Sequence, residues 1–307
     1  MIPEEPSVRR PLKRSRVNRG DGQVIDNVSD DVSTARSMDS PWVERLLTLH
    51  RQVRSAVAKS DRAGTGSKNA KGDDVKLFDL AANDAALDVL REFQQPLIVD
   101  SEEGGRQEIG SGTPRHRLIL DPVDGSDNWA RGLPLSALSF AVLPVDAPLH
   151  PDWVEAALVG PLDEDTPLIA LKGSGAWRGK ERLRTSSVRN IAGAIISVEL
   201  NHHSPSPGLA RLMAAARGVR CYGCASRALS LVAEGATDAH VDARGRLTAE
   251  SYLAAARLVI EAGGWVVGLD GASLAGAESL TNRVSLVAAS SRELCDEIVE
   301  VLRHGEH

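Results

Sequence analysis

An aspartate follows directly after a short apolar run, and a second aspartate lies three residues further along a turn-forming segment. The apolar residues 118–120 lead into Asp121, Pro122 stops any helix, and Asp124 follows three residues after the first aspartate. Gly125 then allows the backbone to turn tightly. Paired carboxylates at a strand end, beside turn amides, suit a hard cation held near a phosphate. An ordinary Asx/Gly turn is the alternative, but it does not require the apolar run, the proline and the second acid together.

Residues 120–128 read Leu-Asp-Pro-Val-Asp-Gly-Ser-Asp-Asn. This segment resembles the Asp-Pro-(Ile/Val/Leu)-Asp-Gly-(Ser/Thr)-x-Asn signature of the inositol monophosphatase family. Its superfamily also contains fructose-1,6-bisphosphatases and 3′(2′),5′-bisphosphate nucleotidases, and further similar segments extend from about Lys71 to Val287. The resemblance implies a layered α-β-α-β-α sandwich and lithium-sensitive, Mg²⁺-dependent hydrolysis of a small phosphomonoester. The chain would then be a phosphoric monoester hydrolase acting on an inositol, sugar or nucleotide phosphate.

Several oxygen ligands for Mg²⁺ are implied by this resemblance. Asp121, the backbone carbonyl of Val123, and Asp124 come from the turn itself. Glu102 is the first acid of a Glu-Glu pair that ends a second apolar strand, and the family places that acid on the metal. Without the resemblance, Glu102 would be interpreted as a solvated loop acid.

The segment from Asp73 to Asp79 is similar to the family's Asp-x-Val-Thr-x-x-Asp, with Lys76 where threonine is common. The resemblance pairs the first acid, Asp73, with the hydroxyl of Ser126, and this pair, together with the metal-bound glutamate, orients and deprotonates the attacking water. A solvated loop acid is the alternative for Asp73, and Asp74 can take its place. Asp79 is more simply interpreted as the N-cap of a helix.

Substrate binding is assigned to two groups of residues. Asp124 and the amides of Gly125 and Ser126 are expected to surround the phosphate, aided by a helix that starts just after them. By resemblance, the alcohol portion contacts the segment Gly223, Cys224 and Ala225, and Asp242 binds substrate hydroxyls; a surface acid at a strand end is equally open for Asp242.

Two other pairs of residues could have a functional role, but each also has an ordinary structural interpretation. Cys221 and Cys224 form a C-x-x-C pair, but zinc needs four ligands and the chain has no second cysteine pair. We therefore do not assign a metal or redox role to this pair. His202 and His203 lie in a predicted loop, where adjacent histidines are usually solvated, although they can also border the substrate pocket.

One position departs from the family pattern. The family closes its second metal site with an aspartate ten residues before the glutamate of Glu-Ala-Gly-Gly; that glutamate is Glu261 here, and the position holds Ser251. Glu250 can supply the missing carboxylate, or the substrate can supply the oxygen. The third possibility is a pseudo-phosphatase or ligand-binding protein with an impaired second metal site.

Composition excludes some classes of function. The 307 residues include 36 basic and 42 acidic side chains, with a net charge of −6 and 3% aromatic residues, which disfavours nucleic-acid binding. No apolar run approaches the length of a membrane span. Three cysteines are too few for a disulfide framework and fit a cytoplasmic protein. The resemblance implies a small phosphorylated metabolite as the partner, and family analogy suggests a homodimer.

Hydrophobic periodicity predicts three regions. Residues 1–40 are basic and polar and read as a disordered tail. Residues 41–189 are predicted to form an N-terminal α+β lobe with a mainly antiparallel sheet, containing the metal and phosphate site. Residues 190–307 alternate strand and helix and are predicted to form an α/β lobe that completes the substrate pocket. Residues 60–74 are expected to be a mobile loop.

Overall fold

The computed structural model describes residues 40–68 and 74–303. Its helices are α1 (Pro41–Lys59), α2 (Leu77–Glu92), α3 (Ser126–Ala130), α4 (Pro207–Ala215), α5 (Ala225–Ala233), α6 (Ala249–Glu261) and α7 (Arg292–Arg303). Its strands are β1 (Gly64–Lys68), β2 (Asp74–Lys76), β3 (Leu97–Ser101), β4 (Gly105–Ile109), β5 (His116–Asp124), β6 (Ala137–Pro144), β7 (Ala156–Pro161), β8 (Leu168–Leu171), β9 (Gly175–Arg178), β10 (Glu181–Arg182), β11 (Ile195–Val198), β12 (Gly218–Arg220), β13 (Ala239–Leu247), β14 (Trp265–Val267) and β15 (Val284–Ala289).

Five layers of secondary structure enclose three apolar clusters. Alternate residues of a strand point to opposite faces of its sheet. In β6, Phe140 therefore joins the cluster under α1 and α2, whereas Ala141 joins the cluster with α5 and α6. In β15, Leu286 faces that same middle cluster and Val287 faces the cluster under α4 and α7. The order is helix, sheet, helix, sheet, helix, which confirms the predicted α-β-α-β-α sandwich.

The two sheets differ in strand direction. The larger sheet has the order β10-β9-β8-β7-β6-β5-β3-β4, and its neighbouring strands are antiparallel except for β3 and β5. The smaller sheet has the order β12-β11-β13-β15-β14, in which β11 runs parallel to both of its neighbours. A mainly antiparallel first sheet was predicted from the sequence. The parallel β3–β5 pair matters most for the site because it aligns the ends of the two strands that carry the predicted metal ligands.

The first helix begins where the sequence predicts. Ser40 is the N-cap, and its hydroxyl accepts a hydrogen bond from the Trp42 amide at 3.4 Å. Pro41 occupies the first turn, where a missing N–H costs nothing. The buried face then follows helical spacing through Leu46, Leu49 and Val53.

Residues 60–74 are not entirely a loop. β1 lies within this range and pairs antiparallel with β2, with Gly64 opposite Lys76. Asp79 is not the N-cap of α2 but its third residue, because the helix begins at Leu77. From there its carboxylate accepts a hydrogen bond from the Lys76 amide at 2.9 Å, so it still caps the helix from inside.

Two predictions fall outside the described residues. The predicted tail, apart from Ser40, lies there, and so does Asp73. Across residues 40–68 and 74–303, no helix combines the length and the apolar character needed to cross a membrane.

Candidate active site

The turn after β5 brings the residues that are predicted to bind phosphate close to the N-terminus of α5. The β5–β6 register shifts between Asp121 and Asp124, so the strand bulges where the acids lie. Gly125 has φ 81°, and a Cβ there would lie 2.9 Å from both the Cys224 Cβ and the Leu135 carbonyl oxygen. Only glycine fits this position. The short helix α3 starts at the next residue, Ser126, as predicted.

The Ser126 hydroxyl lies within hydrogen-bonding distance of two acceptors on different elements. Its Oγ is 2.9 Å from the Asp79 Oδ1 and 2.9 Å from the Val123 carbonyl oxygen. The carboxylate that the structure places on Ser126 is therefore Asp79 of α2, whereas the sequence assigned this role to Asp73. Asp79 reaches the site because α2 begins at the edge of the turn, and its helix-capping role uses the other oxygen.

Burial raises the pKa of Asp79 above its ordinary value. The hydrogen bonds from the Lys76 amide and the Ser126 hydroxyl act in the opposite direction, and the charge of Glu102 raises the pKa further. Glu102 is held at the end of β3 by its own amide, which donates to the Leu120 carbonyl at 3.1 Å. The acids Asp79 of α2 and Glu102 at the end of β3 thus lie near each other, and a cation would relieve their repulsion.

Asp121 is almost fully buried, with 2% of its surface exposed. Its Oδ1 accepts a hydrogen bond from the Val123 amide at 3.2 Å, and its Oδ2 accepts one from the Ser251 hydroxyl at 3.3 Å. Ser251 therefore lies beside Asp121, where the family pattern has a further carboxylate. Ser251 thus lies where the motif predicts a metal ligand, but it offers a hydroxyl group in place of a carboxylate.

Asp124 joins the turn after β5 to the N-terminus of α5. Its Oδ2 accepts a hydrogen bond from the Ser226 amide at 2.6 Å and lies 3.2 Å from the Cys224 Sγ. These groups lie at the N-terminus of α5, whose first-turn amides favour a negative charge. Burial, followed by the charge of Asp124, raises the pKa of the Cys224 thiol well above its ordinary value. The thiol stays protonated and can donate to the carboxylate.

The predicted metal ligands are only partly assembled. Among the residues that the structure describes, no three His, Cys, Asp or Glu side chains form a group that could hold a metal ion. Glu250, expected to replace the missing aspartate, is buried, and its Oε1 accepts a hydrogen bond from the Thr248 hydroxyl at 2.6 Å. Consecutive helix residues point in different directions, so Glu250 and Ser251 cannot face Asp121 in the same way. The role of Glu250 as a metal ligand stays a prediction.

A cavity of about 300 Å³ opens beside Asp124. The segment Gly223, Cys224 and Ala225 lines it, as the sequence predicted for the alcohol portion of the substrate. His202 also lines it, which favours the pocket interpretation for this histidine.

Asp242 was expected to bind substrate hydroxyls, but it is fully buried. Arg244 donates to its Oδ1 from Nε at 3.0 Å and to its Oδ2 from an Nη at 2.7 Å. Both carboxylate oxygens are therefore occupied by a neighbour two residues along the chain. Glu199, which follows directly after β11, lines the cavity together with Asp124 and Asp127.

Sequence reasoning missed some residues that shape the site. Asn128 donates from Nδ2 to the carbonyl oxygens of Leu135 at 2.9 Å and Tyr222 at 2.7 Å, which ties the turn to the substrate-lining segment. It is the final residue of the nonapeptide, so a signal was present. Glu199 and the arginines of the cavity carry no motif, and only their spatial position identifies them.

Comparisons with known proteins agree on the fold. The sequence profile described as the inositol monophosphatase family matches residues 33–306. The chain is similar in structure to an extragenic suppressor protein SuhB from Bartonella henselae, at 24% identity and a TM-score of 0.73, covering 87% of this chain and 100% of the other. An inositol monophosphatase–fructose 1,6-bisphosphatase structure gives a TM-score of 0.73 at 24% identity, covering 86% and 100%.

Sequence relatives cover most of both chains. The fructose-1,6-bisphosphatase/inositol-1-monophosphatase of Methanothermobacter thermautotrophicus is 31% identical over 267 residues, which is 83% of this chain and 92% of the relative. Human inositol monophosphatase 2 is 28% identical over 281 residues, which is 86% of this chain and 92% of the relative. With the matching profile and the five-layer fold, these similarities establish that the chain belongs to the inositol monophosphatase family and is a phosphoric monoester hydrolase.

Proposed function

We propose that the protein hydrolyses a small phosphomonoester with Mg²⁺, using water as the nucleophile. The observation that supports this most directly is the Ser126 hydroxyl, which lies within hydrogen-bonding distance of Asp79 and of the Val123 carbonyl on the turn that carries Asp121 and Asp124. A carboxylate and a hydroxyl in contact beside two further acids can orient water and accept its proton.

Magnesium would be held by oxygen donors of two segments. These are Glu102 just after β3, and Asp121, the Val123 carbonyl and Asp124 at the end of β5. Oxygen donors are those that Mg²⁺ prefers. Burial raises the pKa of the neighbouring Asp79, and the charge of Glu102 raises it further, so a cation would be attracted to this pair of acids. When bound, the ion supplies Lewis-acid stabilisation of the phosphate oxygens and lowers the pKa of water. Ser251 adds a neutral hydroxyl where the family pattern has a charge, so we expect weak binding of a second ion.

The chain's own residues would position the reactants. The Asp79 carboxylate accepts a hydrogen bond from the Ser126 hydroxyl, which leaves the lone pairs of the hydroxyl oxygen free to accept a hydrogen bond from water. The amides of Gly125 and Ser126 would contact the phosphate, and the segment at Cys224 would contact the alcohol portion. Burial of Asp79 strengthens its hydrogen bond with the Ser126 hydroxyl because water competes less for it.

The substrate would be an inositol, sugar or nucleotide phosphate. The relatives named above act, by their names, on inositol phosphates and fructose 1,6-bisphosphate. All three cysteines are free, which suits a reducing cytoplasm. We further propose a homodimer, which sedimentation equilibrium would test directly.

Phosphate release tests the proposal. Purified protein is assayed with inositol 1-phosphate, fructose 1,6-bisphosphate and adenosine 3′,5′-bisphosphate, with Mg²⁺ and with EDTA. We expect release that requires Mg²⁺ and falls by about 10²-fold or more in Asp79→Asn, because the proton acceptor is lost. The exposed Asp146 provides a control, and Asp146→Asn should match the wild type.

Two results would contradict the proposal. Folded protein that releases no phosphate from any substrate would not be a phosphatase of this kind, and tight substrate binding by calorimetry without turnover would indicate the pseudo-phosphatase instead. Full activity of Asp79→Asn would reject the assigned proton acceptor.

A further inference from the structure

Three arginines line the cavity beside Asp124: Arg244, Arg246 and Arg283. Their positive charges lie on the side of β13 and β15, whereas the turn contributes Asp124 and Asp127. A pocket built only for a phosphate and an uncharged polyol does not need this much positive charge. The partners of each charged group show which arginines are available to a ligand.

Arg244 is neutralised within the protein. Its guanidinium donates to both carboxylate oxygens of Asp242, at 3.0 and 2.7 Å, and one Nη lies 3.9 Å from a Glu199 oxygen. Glu199 also accepts hydrogen bonds from the amides of Leu200 and Asn201, each at 3.0 Å. This arginine therefore stabilises the pocket wall.

The acids of the cavity also have partners of their own. Asp127 forms an ion pair with Lys76, with 2.9 Å between Nζ and Oδ1. The Asp124 Oδ2 accepts a hydrogen bond from the Ser226 amide. These contacts direct the acids toward the turn and α5.

Arg246 and Arg283 differ from Arg244. Both are exposed, and within the described residues neither forms a hydrogen bond or an ion pair with an acid. Leu247 is paired with Val284 in the antiparallel β13–β15 ladder, so Arg246 and Arg283 lie one residue to either side of this pair, and both line the cavity. Two like charges that line one cavity repel, and an anion between them would convert this repulsion into attraction.

We propose that Arg246 and Arg283 form a subsite for a second anionic group of the substrate. The substrate would be a phosphomonoester whose other end carries a phosphate or a carboxylate, which planar guanidinium groups bind well. This inference rests on the proposed function because the first phosphate must occupy the turn at Gly125. It separates bis-anionic substrates from inositol monophosphates, which lack the second charge.

Kinetics with matched substrates test the subsite. We compare kcat/KM for fructose 1,6-bisphosphate with that for fructose 1-phosphate, which lacks only the second phosphate, and include 3-phosphoglycerate as the carboxylate substrate. We expect the wild type to prefer the bis-anionic compounds and Arg246→Ala and Arg283→Ala each to lower that preference about tenfold, mainly through KM. A larger loss for the bisphosphate than for 3-phosphoglycerate would identify a phosphate subsite, and the reverse a carboxylate subsite.

Two controls sharpen the result. Arg211 is an exposed arginine of α4 outside the cavity, and Arg211→Ala should leave the preference as in the wild type. Arg283→Lys keeps the positive charge but cannot form the bidentate hydrogen bonds of a guanidinium group. It should therefore retain part of the preference that Arg283→Ala loses. The preference should also weaken as salt is added, because exposed charges are screened.

Equal kcat/KM for the bis-anionic compounds and fructose 1-phosphate, or variants that change all substrates alike, would overturn the subsite. If the wild type hydrolyses nothing, the proposed function fails but the subsite is still decided by calorimetry with fructose 1,6-bisphosphate. A dissociation constant that rises about tenfold in Arg246→Ala and in Arg283→Ala would then support it, and an unchanged one would reject it.

Discussion

Ser251 shows how one residue can change a site without changing its shape. Its hydroxyl lies 3.3 Å from the Asp121 Oδ2, so the helix delivers a side chain to the position where the family pattern has an acid. A neutral donor there stabilises the buried Asp121 in the absence of a cation. The same hydroxyl contributes less than a carboxylate to holding a divalent ion, because a neutral oxygen attracts that ion less strongly.

Ser251→Asp should make stability depend more strongly on Mg²⁺. Two carboxylates about 4 Å apart repel by roughly 4 kcal/mol at an effective dielectric constant of 20, so we expect the variant to melt below the wild type in EDTA. Added Mg²⁺ should bridge the acids and raise its Tm by more than it raises that of the wild type. Differential scanning calorimetry measures both shifts.

Ser251→Asn is the matched control, because it has nearly the same volume as aspartate without the charge. If the two variants respond equally to Mg²⁺, the Ser251 position does not contribute to cation binding.

At the scale of elements, α1 packs closely against β7 through a histidine and a glycine. A Cβ on Gly160 would lie 2.3 Å from the His50 Cδ2, so the ring lies directly on the strand backbone. The His50 Nε2 lies 2.9 Å from the Pro161 carbonyl oxygen and can donate to it as the neutral ring. Burial lowers the pKa of His50 below its ordinary value. The hydrogen bond to Pro161 acts in the opposite direction, and the charge of Arg54 lowers the pKa further.

His50→Gln should lessen the loss of stability at acidic pH. A histidine with a lowered pKa in the folded state binds more protons when unfolded, so its contribution is present above about pH 6.5 and declines as the pH falls below that value. The stability advantage of the wild type over the variant should therefore shrink between about pH 7.5 and about pH 5.5. Urea unfolding at both pH values measures the difference, and an advantage that grows on acidification would contradict the assignment.

At the scale of the whole molecule, the candidate site depends on contacts between regions distant in sequence. The Asp124 Oδ2 accepts from the Ser226 amide, and Asn128 donates to the Tyr222 carbonyl. The middle apolar cluster contains residues of both sheets and of α5 and α6. Folding and formation of the site are therefore coupled.

Asn128→Ala should reduce both stability and activity. It leaves the carbonyl oxygens of Leu135 and Tyr222 without this donor, at a cost of about 1–3 kcal/mol, and it frees the substrate-lining segment. Urea unfolding and kcat/KM measure the two effects. Asn190→Ala removes a cap from a short 3₁₀ turn far along the chain and should cost stability without changing kinetics; equal kinetic losses in both variants would mean that Asn128 has no special role at the site.

The sequence by itself predicted the turn at residues 121–128, because local backbone chemistry determines it. The resemblance of this motif to a known family implied the layered fold, and it also implied that the segment at Cys224 contacts the alcohol portion of the substrate. Only the tertiary structure decided that Ser126 contacts Asp79 and that Arg246 and Arg283 line one cavity beside Asp124, because these groups come from parts of the chain that are distant in sequence. It also decided that Arg244 binds both carboxylate oxygens of Asp242, because a linear motif does not specify the geometry that brings these two side chains together.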